Sequence, residues 1–321
     1  MISIEWQVMA ALVLDAFIGD PRSWPHPVRL MGWMAMRLEP ITRRSFANAR
    51  VAGLLTALTV IAVTGVLTCG VVQIGLMVNP WIGAIVSIVI IYTGIAAHDL
   101  AKHAHEVKLA LDQGNLVLAR KRVGMICGRD TEELDEPAII RATVESVAEN
   151  LVDGVTAPLF YGVLTGPVGV MVYKAISTLD STFGYRNECY LMFGWASAKL
   201  DDIAAFLPSR LTAVLVPCAA LILGMRSKES LSVMRADRLQ HASPNSGHSE
   251  AAFSGALGLT LGGPSRYQGV VHYKPFIGRA TEQPSSEHIS ESVKLMKVTA
   301  LISLMAFALA LYAMRIIFPW L

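Results

Sequence analysis

Charge is scarce in this 321-residue chain. Only 16% of its residues are Asp, Glu, Lys or Arg, against roughly 25% in an ordinary soluble domain. Hydrophobic residues make up 53% and mean hydropathy is +0.48, which is the composition of a membrane protein. A basic excess is missing too: net charge is +2, with Lys and Arg dispersed, which excludes the footprint of a nucleic-acid binder. Cysteine is sparse. Cys69, Cys127, Cys189 and Cys218 lie far apart with no CxxC pair, so neither a disulfide framework nor a zinc site is expected. The chain has no GxxxxGK[ST] loop, no GxGxxG after a strand, no HExxH and no GxSxG elbow. It also lacks a fixed-period repeat and a disordered, charge-rich tail, so residues 1–321 are expected to form a single membrane-embedded domain.

Long apolar runs are what the chain does have. Residues 51–78 and 81–97 are each long enough to span a bilayer, and Asn79-Pro80 joins them in a tight hairpin. Residues 295–320 form another such run, with Pro319 and Trp320 at one end and Lys294 and Lys297 at the other. Residues 4–19 are a shorter candidate. Glu5 and Asp15 there, and the lack of a small-residue cleavage site, mark a retained helix rather than a signal peptide. The runs 155–176 and 206–224 are interrupted by Pro158, Gly166, Pro167, Pro208, Arg210 and Pro217, and are expected to be broken or re-entrant. The fold expected is all-α, a polytopic membrane helical bundle with broken or re-entrant helices.

Positive charge collects in residues 20–50, 98–153 and 225–297, which the positive-inside rule places in the cytoplasm. Counting crossings then puts residues 177–205 outside if both broken runs cross fully. A re-entrant 155–176 run would instead let Asp153 and Asp180 share a cytoplasm-accessible cavity. A full crossing would separate them by roughly the 30 Å hydrocarbon thickness.

Four polar stretches could carry chemistry. In CGRDTEELDEPAIIRATVESVAENLVD, Pro137 behind Asp135 and Glu136 starts a helix. Ile140, Val144, Val147 and Leu151 make its apolar face, and Arg141, Glu145, Glu149 and Asp153 recur every four residues on another. Such a stripe is ordinarily a solvated face. Here it runs into an apolar segment, where carboxylates are costly and usually functional, and carboxylates one turn apart suit Mg2+.

The stretch 173–202 packs Lys174, Thr178, Asp180, Asn187, Glu188, Asp201 and Asp202 among aromatic residues, which reads either as an interface belt or as ligand-facing helix ends. Arg210, next to Pro208, needs an anionic partner, a protein acid or a phosphate.

The third stretch places Ser243, Asn245 and Ser246 before an Ala-rich helix and Gly262-Gly263-Pro264 after it, which reads as helix punctuation. Free amides from Asn245 to Glu250 would nevertheless suit phosphate. In the fourth, GDPRSWPHPVRLMG, three prolines fix a loop presenting His26 and Arg29, a setting in which a lone His more often packs than reacts. The His98, Asp99, His103, His105 and Glu106 cluster lacks the spacing of a zincin and reads as a juxtamembrane helix face.

Together these stretches resemble the CbiB/CobD family of cobalamin biosynthesis, the adenosylcobinamide-phosphate synthases. The likeness runs in order through GDPRSWPHPVRLMG, GRDTEELDEPAIIRATVESVAENLVDGVTAPLFYG, YKAISTLDSTFGYRNE, FGWASAKLDDIAAFLPSRL and SPNSGHSEAAFSGALG. Two departures are Ser177, where the family usually has Asn, and His248-Ser249, where it usually has Trp-Pro or similar.

The resemblance implies an integral protein of the bacterial cytoplasmic (inner) membrane. It implies a ligase that joins adenosylcobyric acid to 1-aminopropan-2-ol or its O-phosphate, giving adenosylcobinamide or its phosphate. ATP would drive amide formation with Mg2+, the corrinoid being the substrate, and association with other membrane enzymes of cobalamin assembly is a further expectation. Carried onto this chain, Glu145, Glu149 and Asp153 would hold Mg2+, with Asn150 as a further ligand. Lys174, Arg129 and Arg210 would meet phosphate charge. Asp180 with Thr178 would accept the ammonium proton or orient the amine, with Asp201 and Asp202 as alternatives. Asn245 and the amides after it would hold the aminoalcohol phosphate, and Asn187 and His26 complete the expected substrate contacts. The competing class is a non-enzymatic transporter or signalling protein on the same scaffold.

Overall fold

The computed structural model describes residues 2–20, 26–185, 187–267 and 269–317. It is 74% helical with one two-stranded sheet, as the apolar runs imply. In chain order the helices are α1 (Ile4–Ile18), α2 (Pro27–Ser45), α3 (Ala49–Val78), α4 (Pro80–Tyr92), α5 (Ala97–Asp112), α6 (Leu116–Val123) and α7 (Glu136–Leu151). A π-turn (Val152–Thr156) follows. Next come α8 (Ala157–Phe183), α9 (Trp195–Ala204), α10 (Phe206–Ile222), α11 (Ser227–Asp237) and α12 (Ser246–Leu257). A hairpin of β1 (Leu261–Tyr267) and β2 (Val270–Ile277) precedes α13 (Glu287–Ile317).

Among the described residues, four helical runs are long and apolar enough to cross a membrane: Ala49–Val78, Pro80–Asp112, Glu136–Phe183 and Glu287–Ile317. Trp195–Ala204 and Phe206–Ile222 qualify only as a broken pair. Pro21, Arg22, Pro25, Pro319 and Trp320, which carry parts of the proline-loop and interface readings, lie outside the described residues.

The chain groups into two compact units. The first comprises Met1–Ala96, Ala157–Ala205 and Ala306–Leu321. Its helices start where the sequence supplies caps. The Asn48 carboxamide accepts from the Arg50 and Val51 amides at the head of α3, and Asn79 accepts from Trp81 at 2.8 Å, with Pro80 in the first turn of α4.

Within this unit α3 buries Ala52, Gly53, Thr56, Ala57, Thr64 and Thr68 while Val66, Ile74 and Met77 point outward, the inside-out pattern of a lipid-facing helix. Gly53 is needed for close approach, since a Cβ there would lie 1.8 Å from the Phe193 carbonyl oxygen. The expected break in the 155–176 run is present. Gly166 takes φ +67° and ψ −154° directly before Pro167, which separates the two halves of α8.

The second unit comprises Ala97–Thr156 and Phe206–Met305. Its central element is α7, which packs against α5, α6, α12 and β1. Asp135 caps α7 by accepting from the Ala138 amide at 2.8 Å, with Pro137 in the first turn, as the sequence implies. The charge stripe is only partly covered: Glu145 is 5% exposed, because α12 and β1 cover that side of the helix, whereas Glu149 is exposed.

The reading of Gly262-Gly263-Pro264 as helix punctuation is corrected as well. Helix α12 already stops at Gly258, which adopts φ +66°, and the Gly262–Pro264 triplet lies in β1 with a register shift between the two glycines.

Candidate functional site

A small charged recess lies inside the second unit, and four separate segments build it. The 127–130 segment is anchored to the hairpin. The Asp130 amide donates to the Arg266 carbonyl at 2.8 Å, the Gly269 amide donates to Asp130 Oδ2 at 2.7 Å, and Arg266 pairs with Glu133 at 2.6 Å. That anchoring presents Arg129 to α7, where its guanidinium bonds to Glu145 Oε2. The other oxygen of Glu145 accepts the Gly262 amide at 2.7 Å, a contact that the bulge in β1 makes available.

One turn further along α7, Glu149 Oε1 accepts from Ser246 Oγ at 3.2 Å, and Glu250 lies 3.7 Å from His241 Nε2. Lys274 Nζ of β2 lies 5.4 Å from the centroid of the Tyr267 ring of β1. Cys127, Arg129, Glu145, Glu149, Glu250 and Lys274 are among the residues that enclose a space of about 80 Å³.

The electrostatics of the recess divide its acids. Burial, then the nearby Glu149 and Glu145, push the Glu250 carboxyl well above the usual carboxylate range. Burial opposes the Arg129 charge, but Glu145 outweighs it and raises the guanidinium above its ordinary value. Burial likewise opposes the Lys274 charge, and the neighbouring Tyr267 side chain overcomes it and raises the ammonium above its ordinary value. Burial lowers His241 and raises the Cys127 thiol, so Cys127 is not a ready thiolate.

The CobD/Cbib protein family matches residues 8–296. The chain belongs to the CobD/Cbib family. Among its relatives is the Leptospira interrogans cobalamin biosynthesis protein CobD, 43% identical over 306 residues that cover 95% of this chain and 97% of the relative. The proteins of the same name from Clostridium perfringens, at 42% identity covering 95% and 96%, and Pelobacter propionicus, at 44% covering 94% of each, agree with it. No solved structure matches. The family belongs to cobalamin biosynthesis.

Of the candidate residues in this CobD/Cbib chain, Arg129, Glu145 and Glu149 come together at the recess. Asp153 sits in the π-turn after α7. The three carboxylates do not form a cage: among the described residues no three His, Cys, Asp or Glu side chains are arranged to hold a metal, and Glu145 is already committed to Arg129 and Gly262. The remaining donor set still fits Mg2+, which takes one or two protein carboxylates and fills its shell with water and phosphate oxygens. The space is small and lined mainly by polar side chains, which suits a phosphoryl group with water molecules.

Arg210 and Asn245 also belong to the second unit, with Arg210 Nη1 donating to Asn245 Oδ1 at 3.1 Å. Lys174, Thr178, Asp180, Asn187, Asp201 and Asp202 all lie in the first unit. There Thr178 Oγ1 donates to the Lys174 carbonyl at 2.6 Å, Asn187 accepts from the Tyr190 amide at 2.9 Å, and Asp202 pairs with Lys199 at 3.1 Å. His26 caps α2 by accepting from Val28 at 3.3 Å and lies 3.7 Å from Asp20. Sequence reasoning missed Glu250, His241, Tyr267 and Lys274. The one signal for the last two was the alternating segment around Gly269, a hairpin pattern that puts Tyr267 and Lys274 in one two-stranded sheet.

Proposed function

We propose that the chain is an inner-membrane ligase that forms the amide between the carboxylate of adenosylcobyric acid and the amine of 1-aminopropan-2-ol or its O-phosphate. ATP supplies the phosphoryl group with which the carboxylate oxygen departs, and Mg2+ screens the phosphate charge. The single observation that carries this reading is the recess itself. In a family of cobalamin biosynthesis, two cations and three carboxylates from four segments face a small, mainly polar space that suits a phosphoryl group with water molecules.

In this reading Glu149 is the metal-facing carboxylate, since its partner is a neutral hydroxyl rather than a cation. Lys274 and Arg129 hold phosphate oxygens, and Glu145 fixes Arg129 in place. Glu250, held toward its protonated form, stores or releases a proton close by. Asp180, with Thr178, is the candidate that deprotonates or orients the amine, Asp201 and Asp202 are the alternatives, and Lys174 adds phosphate charge. Arg210 and Asn245 are the candidates for the aminoalcohol phosphate. The corrin stands outside the recess and extends only its propionate inward.

The test is reconstitution. Detergent-purified protein is given adenosylcobyric acid, Mg2+, ATP and either amine form, and the products are weighed by mass spectrometry. Amide product that requires ATP supports the ligase. Corrinoid flux in proteoliposomes without product would make the chain a carrier.

A further inference from the structure

The first turn of α12 has two differently charged sides. Ser246 and Glu250, one turn apart, meet Glu149 and His241 on the recess side. His248 is set about 200° round the helix from Ser246. The charges that reach it are Arg210 of α10 and Arg238 at the end of α11. Glu145 and Glu149 of α7 act instead on His241 and Glu250.

Arg210 donates to the Phe206 carbonyl at 2.7 Å and to Asn245 Oδ1 at 3.1 Å, and Arg238 donates to the Arg235 carbonyl at 2.6 Å. Among the described residues neither guanidinium bonds to a carboxylate. Asn245 occupies the N-cap position of α12 but gives no side-chain cap, because its Oδ1 is taken by Arg210 and Ser209. Ser243 Oγ accepts from the Asn245 and Ser246 amides at 3.2 and 3.3 Å, and the rest of the positive end of the helix lies beside the Arg210 guanidinium.

The deciding feature is His248. Its side chain is 4% exposed, yet Nε2 has no hydrogen-bond partner. Buried ring nitrogens are rarely left so, and one beside two cations and a helix N-terminus lacks an oxyanion.

We propose that the α12 N-terminus is a phosphate subsite, in which a phosphomonoester or inorganic phosphate dianion lies between Arg210, Arg238 and His248 and brings a proton onto His248 Nε2. The proposal rests on the reading above for the ligand's biological identity, and on the cluster for its chemistry. Without ligand, burial and the two arginines hold His248 down to about 4, so the ring is neutral near pH 7. A bound dianion reverses the local field, and binding takes up one proton.

Sulfate is the cleanest probe because it does not titrate near neutral pH. Calorimetric titration of the full-length protein in detergent is expected to show sulfate binding that tightens as the pH falls from 8 to 6, by at most ~10-fold per unit. His248→Gln should remove that pH dependence, and Arg238→Gln should weaken binding at every pH, with thermal unfolding confirming that both variants fold. Tighter binding of O-phosphoethanolamine than of inorganic phosphate assigns the subsite to a phosphorylated substrate, and the reverse order assigns it to released phosphate. Sulfate binding that is absent, pH-independent or untouched by both substitutions overturns the proposal. Amide formation is assayed on the same preparation: linked anion binding without product keeps the subsite and removes the ligase, and product without linked binding does the opposite.

Discussion

Ser246 Oγ donates to Glu149 Oε1 at 3.2 Å, joining the first turn of α12 to the last turn of α7 across 97 positions of sequence. That bond leaves Glu149 with a neutral partner, whereas Glu145, one turn away, faces Arg129. Two carboxylates on one helix thereby have partners of different charge.

Replacing Glu149 with Ala is expected to abolish turnover while membrane insertion and thermal unfolding stay as in wild type. Glu149→Gln should lower kcat by about 100-fold or more. Ser246→Ala, which removes one hydrogen bond, should cost only about 1 kcal/mol and a few-fold in rate. Steady-state kinetics on purified protein reads all three, and full activity in Glu149→Ala would remove that residue from the mechanism. Asp180→Ala, in the first unit, is expected to be equally inactive.

Glu145 behaves differently because its partner is a buried cation. Glu145→Ala leaves the Arg129 guanidinium without its carboxylate and should destabilise the protein by about 3–5 kcal/mol. The double variant Arg129→Met with Glu145→Met should recover most of that loss. Denaturant unfolding in detergent, followed by circular dichroism, measures both.

Glu250 gives stability a pH slope. Its folded-state affinity for a proton is raised, so its contribution is fully present below the unfolded carboxyl value near 4.3 and is lost as pH rises through the raised folded value. Glu250→Gln removes the charge that burial opposes. Its Tm should therefore exceed that of wild type by a few degrees at pH 8, with a smaller gain at pH 5.

Gly166 marks the break in α8, and its φ of +67° is a conformation that side chains resist. Gly166→Ala should cost about 1–2 kcal/mol from the backbone alone. The same exchange at Gly128, where a Cβ meets nothing within 4 Å and the backbone needs no positive φ, should be nearly neutral. A Tm difference between the two variants is the readout.

Cys189 is exposed and its carbonyl accepts from Arg43 at 3.0 Å. With Cys69 and Cys218 replaced by Ser, an impermeant thiol reagent should leave Cys189 unlabelled in intact cells and label it in inverted membrane vesicles. Labelling in intact cells would put the 177–205 segment outside and separate Asp180 from cytoplasmic ATP.

Much of the fold could be read from local chemistry. Asn48, Asn79 and Asp135 are caps whose side chains act within three residues, and the break at Gly166-Pro167 follows from what those two residues permit. The recess was legible only in part. Arg129, Glu145 and Glu149 lie in one dense polar stretch, whereas Glu250 lies inside an Ala-rich helix and Lys274 in an apolar-looking segment. Their role depends on α12 and the hairpin folding back on α7, a long-range contact that no local pattern encodes. The metal cage was over-read for the same reason: a four-residue spacing places Glu145 and Glu149 on one face, but only the tertiary structure shows that Arg129 and Gly262 already occupy Glu145.

Equilibrium binding of a non-hydrolysable Mg–ATP analogue to the purified protein probes the recess most directly. Mg2+-dependent binding to wild type should weaken at least ~10-fold in both Glu149→Gln and Lys274→Met, since each removes a group that meets the metal-phosphate charge. Unchanged affinity in both folded variants would show that the nucleotide binds elsewhere and that the recess is not the reaction centre.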